Sequence, residues 1–180
     1  MTASTGSRLP ALGPRGEGWV AGQVVLLGFV AVAGLPGLGD LPPATAGRWA
    51  LFALGLALLA LGVGIGFAAA RALGSSISAL PRPKETATFA SGGIYAVVRH
   101  PMYLALVVAS VGWALAMAST LAALAAVALV AWLNGKARRE EAWLLDRYPE
   151  YAAYRRRTGR FLPRIGASVP GDPPHGSTEG

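Results

Sequence analysis

The chain contains no cysteine, which excludes disulfides, cysteine-ligated metal sites and thiol catalysis. Histidine is nearly absent as well. Only His100 and His175 occur, the second in a Gly/Pro-rich tail, so His100 is the main candidate for a functional imidazole. Charge is scarce, at 14% of 180 residues, whereas 53% are hydrophobic and the mean hydropathy is +0.47. That balance is too apolar for an ordinary soluble domain. Zinc-finger spacing and an aromatic RNA-binding pattern are both missing, so the net charge of +7 does not read as a nucleic-acid surface, and no metal site is expected.

What is present is contiguous apolar chain. Residues 19–38 form one run, interrupted by Gln23 and by Pro36 near its end, and residues 49–70 form a second with no charge at all. The second is long enough for about 30 Å of hydrocarbon at about 1.5 Å per residue. Residues 102–118 and 120–133 are shorter, and read together as a helical hairpin turning near Ala118-Ser119-Thr120. The last run also fits a buried or re-entrant segment. The expected fold is all-α and polytopic: four transmembrane helices plus a C-terminal amphipathic helix.

Basic residues give the expected topology. Fifteen of sixteen Lys and Arg fall before the first run, in the 71–100 connection, or from Lys136 onward, and only Arg48 lies elsewhere. An even number of spans puts those three regions on one side, and the Lys/Arg excess makes that side cytoplasmic, with both termini there. The same charge favours anionic membrane lipid. Because Arg8 and Arg15 precede the first run and Ala31-Val32-Ala33 resembles a cleavage site, removal of this run as a signal peptide is an alternative.

The expected organisation is a disordered segment at 1–17, the first two transmembrane helices at 18–72, a core at 73–164, and a disordered tail at 165–180. Trp49 reads as an interfacial anchor, and Gly62-Val63-Gly64-Ile65-Gly66 contains a small-xxx-small spacing suited to close helix packing. From Lys136 onward, apolar Ala142, Leu144, Leu145 and Tyr148 alternate with charged residues. That spacing predicts an amphipathic interfacial helix, one reading of which continues the fourth span, with a break or kink near Pro149.

Polar residues gather at the start of the third run. Pro101 suits the first turn of a helix, which puts His100 at its N-cap. The helix N-terminus and Arg99 favour an anionic ligand group, while Tyr95 and Tyr103 offer ring faces and hydroxyls. The same residues fit a basic-aromatic interfacial belt. Glu140 and Glu141 follow the fourth run, and a hairpin returns them beside His100, where a carboxylate can accept hydrogen bonds from ribose hydroxyls or an amino group.

The pattern Gly93-x-Tyr95-x-x-x-Arg99-His100-Pro101-x-Tyr103, a hydrophobic hairpin, Glu140-Glu141-x-x-Leu144, then Tyr148-Pro149-Glu150-Tyr151-x-x-Tyr154 and Pro163, resembles the isoprenylcysteine carboxyl methyltransferase family of integral membrane enzymes. The resemblance covers roughly residues 85–165. It implies S-adenosylmethionine as methyl donor, held by Tyr95, His100, Pro101, Met102, Tyr103, Glu140 and Glu141, with backbone contacts from Phe89 and Ala90 before the motif. It also implies that Lys136, or Arg139 beside it, neutralises a substrate carboxylate as part of the catalytic site. Ala87 stands where eukaryotic members have His, Ala105 where Gly commonly follows the motif Tyr, and Lys136 where an Arg is possible. These departures bear on the acceptor more than on the donor.

A methyl sulfonium is already activated and a carboxylate is already a nucleophile, so approximation, desolvation and alignment suffice. The expected activity is methyl transfer to a lipophilic or membrane-embedded acceptor, preferably a carboxylate, with His100 orienting the donor. The alternatives are a phospholipid-amine N-methyltransferase, a nicotinamide-dependent membrane lipid reductase and a non-enzymatic membrane scaffold.

Overall fold

The computed structural model describes residues 12–13, 16–74 and 90–164. The expected disordered ends, the 75–89 stretch and the candidate residue Phe89 therefore lie outside the described residues, apart from the few positions at 12–13 and 16–17. Among these residues five α-helices follow in order: α1 Glu17–Gly34, α2 Ala46–Leu73, α3 Pro101–Ala116, α4 Thr120–Arg147 and α5 Tyr151–Arg157. A 3₁₀ turn at Leu35–Asp40 extends α1 and another at Gly93–Ala96 precedes α3. Among the described residues there are no strands, only one parallel bridge between Val98 and Gly159.

Among the described residues, three helical segments are long and apolar enough to cross a membrane: Glu17–Asp40, Ala46–Leu73 and Thr120–Arg147. The third apolar run is shorter than a typical span. Proline at its first turn and the break after Ala116 leave α3 with 16 residues, about 24 Å at about 1.5 Å per residue. The hairpin turn falls where the sequence predicts it. Ala118 takes a left-handed φ of 47°, and Ser119 caps α4 by accepting from the Ala122 N–H at 3.1 Å. The Ser119 hydroxyl also donates to the Ala33 carbonyl at 2.7 Å, tying the hairpin to the end of α1.

The helices pack in the order α2, α3, α4, α1, with α1 also touching α3. Gly62 of α2 meets Ala105 and Ala109 of α3, while Gly55 meets Gly112 and Ala116, so these two helices run antiparallel. A Cβ built on Gly62 would lie 2.8 Å from the Ala105 carbonyl oxygen, and one on Gly112 would lie 2.7 Å from the Gly55 oxygen. Backbone meets backbone there, as small residues allow. The predicted small-residue face thus serves packing within the chain through Gly55, Gly62 and Gly66, whereas Gly64 meets nothing within 4 Å.

The other face of the bundle is joined by larger side chains. Trp19 of α1 and Trp132 of α4 have ring centroids 4.8 Å apart, and the Trp132 indole donates to the Trp19 carbonyl at 3.0 Å. Gly22 receives Trp132 and Ala33 meets Ser119, so α1 is antiparallel to α4. The N-terminal ends of α1 and α3 and the C-terminal ends of α2 and α4 consequently lie together. Arg48 sits at the opposite end, where it donates to the Ala116 carbonyl at 2.7 Å and satisfies the C-terminus of α3. Val24, Val25, Phe29, Leu61, Val63, Phe67, Leu124 and Val127 are exposed. In hydrocarbon that outward surface is favourable because its side chains are apolar, and the helices satisfy most of their backbone groups internally.

Candidate functional site

The fourth apolar run and the charged segment after it form one continuous helix, and α4 ends at Arg147 before Pro149, as predicted. At about 1.5 Å per residue its 28 residues extend about 42 Å, so the helix carries Lys136, Glu140 and Glu141 back to the start of α3. There His100 is the N-cap residue and Pro101 the first helical one. The His100 side chain makes no capping bond; it turns toward the two carboxylates instead.

Glu141 is the centre of an ionic network. It is 2% exposed. Arg160 donates to both its oxygens, Nε to Oε1 at 3.0 Å and Nη2 to Oε2 at 2.8 Å. Arg99 approaches Oε1 through Nη2 at 3.0 Å and Nε at 3.2 Å, and His100 Nε2 lies 3.2 Å from the same atom. The remaining Arg160 nitrogen donates to Asn134 Oδ1 at 2.7 Å, and Arg99 Nη1 donates to the carbonyls of Arg155 and Thr158. The chain after α5 folds back to make this possible. Arg99 N–H donates to the Gly159 carbonyl at 2.8 Å, and His100 N–H to the Arg160 carbonyl at 3.1 Å. The hydrogen bonds to Glu141 raise the Arg160 pKa, so its guanidinium stays charged.

Arg99 is therefore not a cation held ready for an external anion at the helix N-terminus. Its donors are occupied by Glu141 and by backbone carbonyls. This overturns the sequence-based reading of that residue. Partly burying two arginines with one carboxylate is tolerable because nearly every polar atom finds a partner.

Glu140 has a different neighbourhood. Its Oε2 accepts from the Tyr103 hydroxyl at 2.9 Å and lies 3.7 Å from His100 Nδ1. Its Oε1 accepts no hydrogen bond among the described residues. His100 and Tyr103 stack almost parallel, with centroids 5.2 Å apart and an interplanar angle of 4°. One helical turn before Glu140, Lys136 is buried with its ammonium 5.1 Å from the Tyr103 ring centroid. Its Nζ donates to Gln23 Oε1 of α1 at 2.6 Å.

Tyr95 is buried in the turn before α3 and its carbonyl accepts from the Tyr154 hydroxyl at 2.6 Å. Burial raises the Tyr95 pKa, and the negative charge of Glu140 adds to that effect. Burial likewise pushes Tyr154 up to about 12, with Arg99 opposing and Glu141 reinforcing. Both phenols remain protonated at neutral pH.

The structure thus brings together Tyr95, His100, Tyr103, Lys136, Glu140 and Glu141. Pro101 is fully buried beneath them, Met102 is half-buried at the next position of α3, and Ala90 is half-buried where the described chain resumes. Arg139 instead stacks over Trp143 at 4.7 Å, and its Nε is buried without a hydrogen-bond partner among the described residues. Gln23, Asn134 and Arg160 were not singled out as site residues by the sequence. The detectable signal was Glu141 itself, since a carboxylate carried next to Glu140 at a membrane boundary requires cationic partners. An open cleft of about 510 Å³ lies apart from Lys136 and Tyr103, lined mainly by Arg99, Arg155, Arg156, Arg160 and Arg164. Among the described residues, no group of three or more His, Asp or Glu is placed to hold a metal ion.

An all-helical chain with spanning helices and a histidine–tyrosine–glutamate cluster at one end of the bundle defines a polytopic membrane protein with a site at its boundary. A family model described as phospholipid methyltransferase matches residues 50–151, which contain α2, α3, α4 and most of the cluster. The chain belongs to that family, part of the isoprenylcysteine carboxyl methyltransferase-like group of membrane methyltransferases. The cobalt-zinc-cadmium resistance protein CzcN of Cupriavidus metallidurans is 38% identical over 80 residues, 43% of this chain. That match spans 37% of the relative's own length. The reductase alternative gains no support from these relationships.

Proposed function

We propose that this protein transfers the methyl group of S-adenosylmethionine to the carboxylate of a lipophilic acceptor, with α3 completing a four-span bundle and both termini in the cytoplasm. The observation that carries the acceptor assignment is Lys136, a cation 1% exposed and one turn from Glu140, beside Tyr103. A buried ammonium favours an anionic partner and disfavours an amine. Four-span topology is supported by the antiparallel packing of successive helices and by the Lys/Arg bias toward one end.

The donor fits the chemistry of the cluster. The free Oε1 of Glu140 is an acceptor for a ribose hydroxyl or an amino group, and Tyr95, Tyr103 and His100 supply aromatic surface. Ala90, Pro101 and Met102 border the same helix start, and Phe89 precedes it in sequence. When bound, the sulfonium supplies an activated methyl group, so an acceptor carboxylate needs no general base. His100, gripped between Glu140 and Glu141, has a positioning role. Tyr103 orients Glu140 through its hydroxyl. Lys136 neutralises the acceptor, and Arg139, held on Trp143, lies one turn further along α4 as an outer cation. Glu141 supports the donor site indirectly by fixing His100 and the returning chain.

N-methylation of a phospholipid amine is the second reading, favoured by the description of the matched family and by the carboxylates near Tyr103. Calorimetry on detergent-purified protein tests the donor. Binding of S-adenosylmethionine and not NADPH is expected, with Glu140→Ala and His100→Ala each weakening it, and binding of NADPH alone would sink the proposal. Tritium transfer into lipid extracts then separates base-labile methyl esters from stable N-methyl products.

A further inference from the structure

Gln23 is the one polar interruption of the first apolar run, and it lies outside the 50–151 stretch that defines the family. Its carbonyl oxygen accepts from Lys136 Nζ at 2.6 Å, joining α1 to α4 across 113 residues of sequence. An ammonium has donors and no acceptor, so this contact fixes the carboxamide with its oxygen toward Lys136 and its NH₂ turned away. Among the described residues that NH₂ donates to no partner. An amide donor inside an apolar helix is costly when left unmatched.

Beside it, the Lys136 ammonium faces Tyr103 and uses one of its N–H groups on Gln23. A charged donor and a neutral donor thus stand side by side. We propose that Gln23 and Lys136 form a two-point clamp for the carboxylate of the lipophilic acceptor. The ammonium supplies the charge and the carboxamide the second hydrogen bond. An arginine presents both donors from a single planar group, whereas a lysine is a point charge and lacks the fork. The contact assigns α1 a share of the acceptor site and explains how a lysine serves there. Burial strengthens it, since a charge-assisted hydrogen bond gains in a low-dielectric setting. An amine head group would meet donors there and be repelled by the ammonium.

The inference rests on the carboxylate reading of the acceptor, and binding measurements separate it from the donor assignment. The full chain in nanodiscs is titrated with tritiated dodecanoate, with dodecylamine, and separately with S-adenosylmethionine. Dodecanoate is expected to bind more tightly than dodecylamine. Gln23→Leu is expected to weaken dodecanoate roughly tenfold, the scale of one charge-assisted hydrogen bond, and to leave S-adenosylmethionine binding unchanged. Adding Lys136→Arg to Gln23→Leu restores dodecanoate, because the guanidinium supplies both donors. Gln23→Glu keeps the side-chain volume and the Lys136 contact, so its thermal midpoint stays near that of the wild type while dodecanoate binding is lost. Equal binding of the two amphiphiles, or unchanged dodecanoate binding in either Gln23 variant, overturns the clamp and leaves the donor reading standing. Dodecanoate preference without S-adenosylmethionine binding supports the clamp and overturns the donor reading.

Discussion

Glu140 and Glu141 are consecutive on one helix, yet they occupy two different regions of the molecule. Glu141 faces an ionic network of Arg99, Arg160 and His100, while Glu140 faces Tyr103 and retains an oxygen that accepts nothing among the described residues. About 100° of helical rotation separates them. One carboxylate is committed to holding the chain together, and the other has capacity left for a ligand.

The largest effect expected is from Glu141→Ala. It leaves the part-buried Arg99 and Arg160 without their buried counter-ion, and loss of one partner from a buried ionic network costs about 3–5 kcal/mol. Thermal unfolding in detergent measures it, and a variant as stable as the wild type would erase the distinction between the two carboxylates. Glu140→Gln attacks the other side of the comparison. It keeps the melting temperature close to wild type and weakens S-adenosylmethionine about tenfold to a hundredfold in calorimetry, the scale of a charge-assisted hydrogen bond.

Smaller changes sharpen the contrast. Arg160→Lys retains the charge but gives up the fork that spans both Glu141 oxygens and reaches Asn134, at an expected cost of about 1–2 kcal/mol in unfolding free energy. Donor affinity in this variant should follow stability only weakly. Tyr154→Phe removes the bond to the Tyr95 carbonyl, costing about 1 kcal/mol. Because the folded-state Tyr154 pKa is raised to about 12, from about 10 in an unfolded chain, its contribution is complete below pH 10 and fades as pH rises toward 12. Denaturation of the wild type between those pH values should show that decline, and the variant should show less of it.

Much of this organisation was legible in the sequence, for identifiable reasons. Proline at position 101 marked the helix start, Ser119 the hairpin, and Pro149 the end of α4, because each residue acts on its own local backbone. Hydrophobic runs marked the spanning helices, although the length of α3 depends on where its last turn closes. The division of labour between Glu140 and Glu141 was not legible. It depends on the rotation of α4 against α3 and on the return of residues 158–160, neither of which leaves a periodic signal. Gln23 was visible only as a blemish in an apolar run, since its partner lies 113 residues away.

The network around Glu141 also has a consequence for how the protein is made. Arg99 precedes this carboxylate by 42 residues and Arg160 follows it by 19, so when α4 leaves the ribosome only part of its counter-charge has been synthesised. The second guanidinium arrives last, once α5 has formed and the chain has turned back beside α3. Closure of the bundle at that end therefore waits on synthesis of Arg160, and a chain terminated shortly before that residue would reach the bilayer with the buried Glu141 carboxylate still lacking that partner.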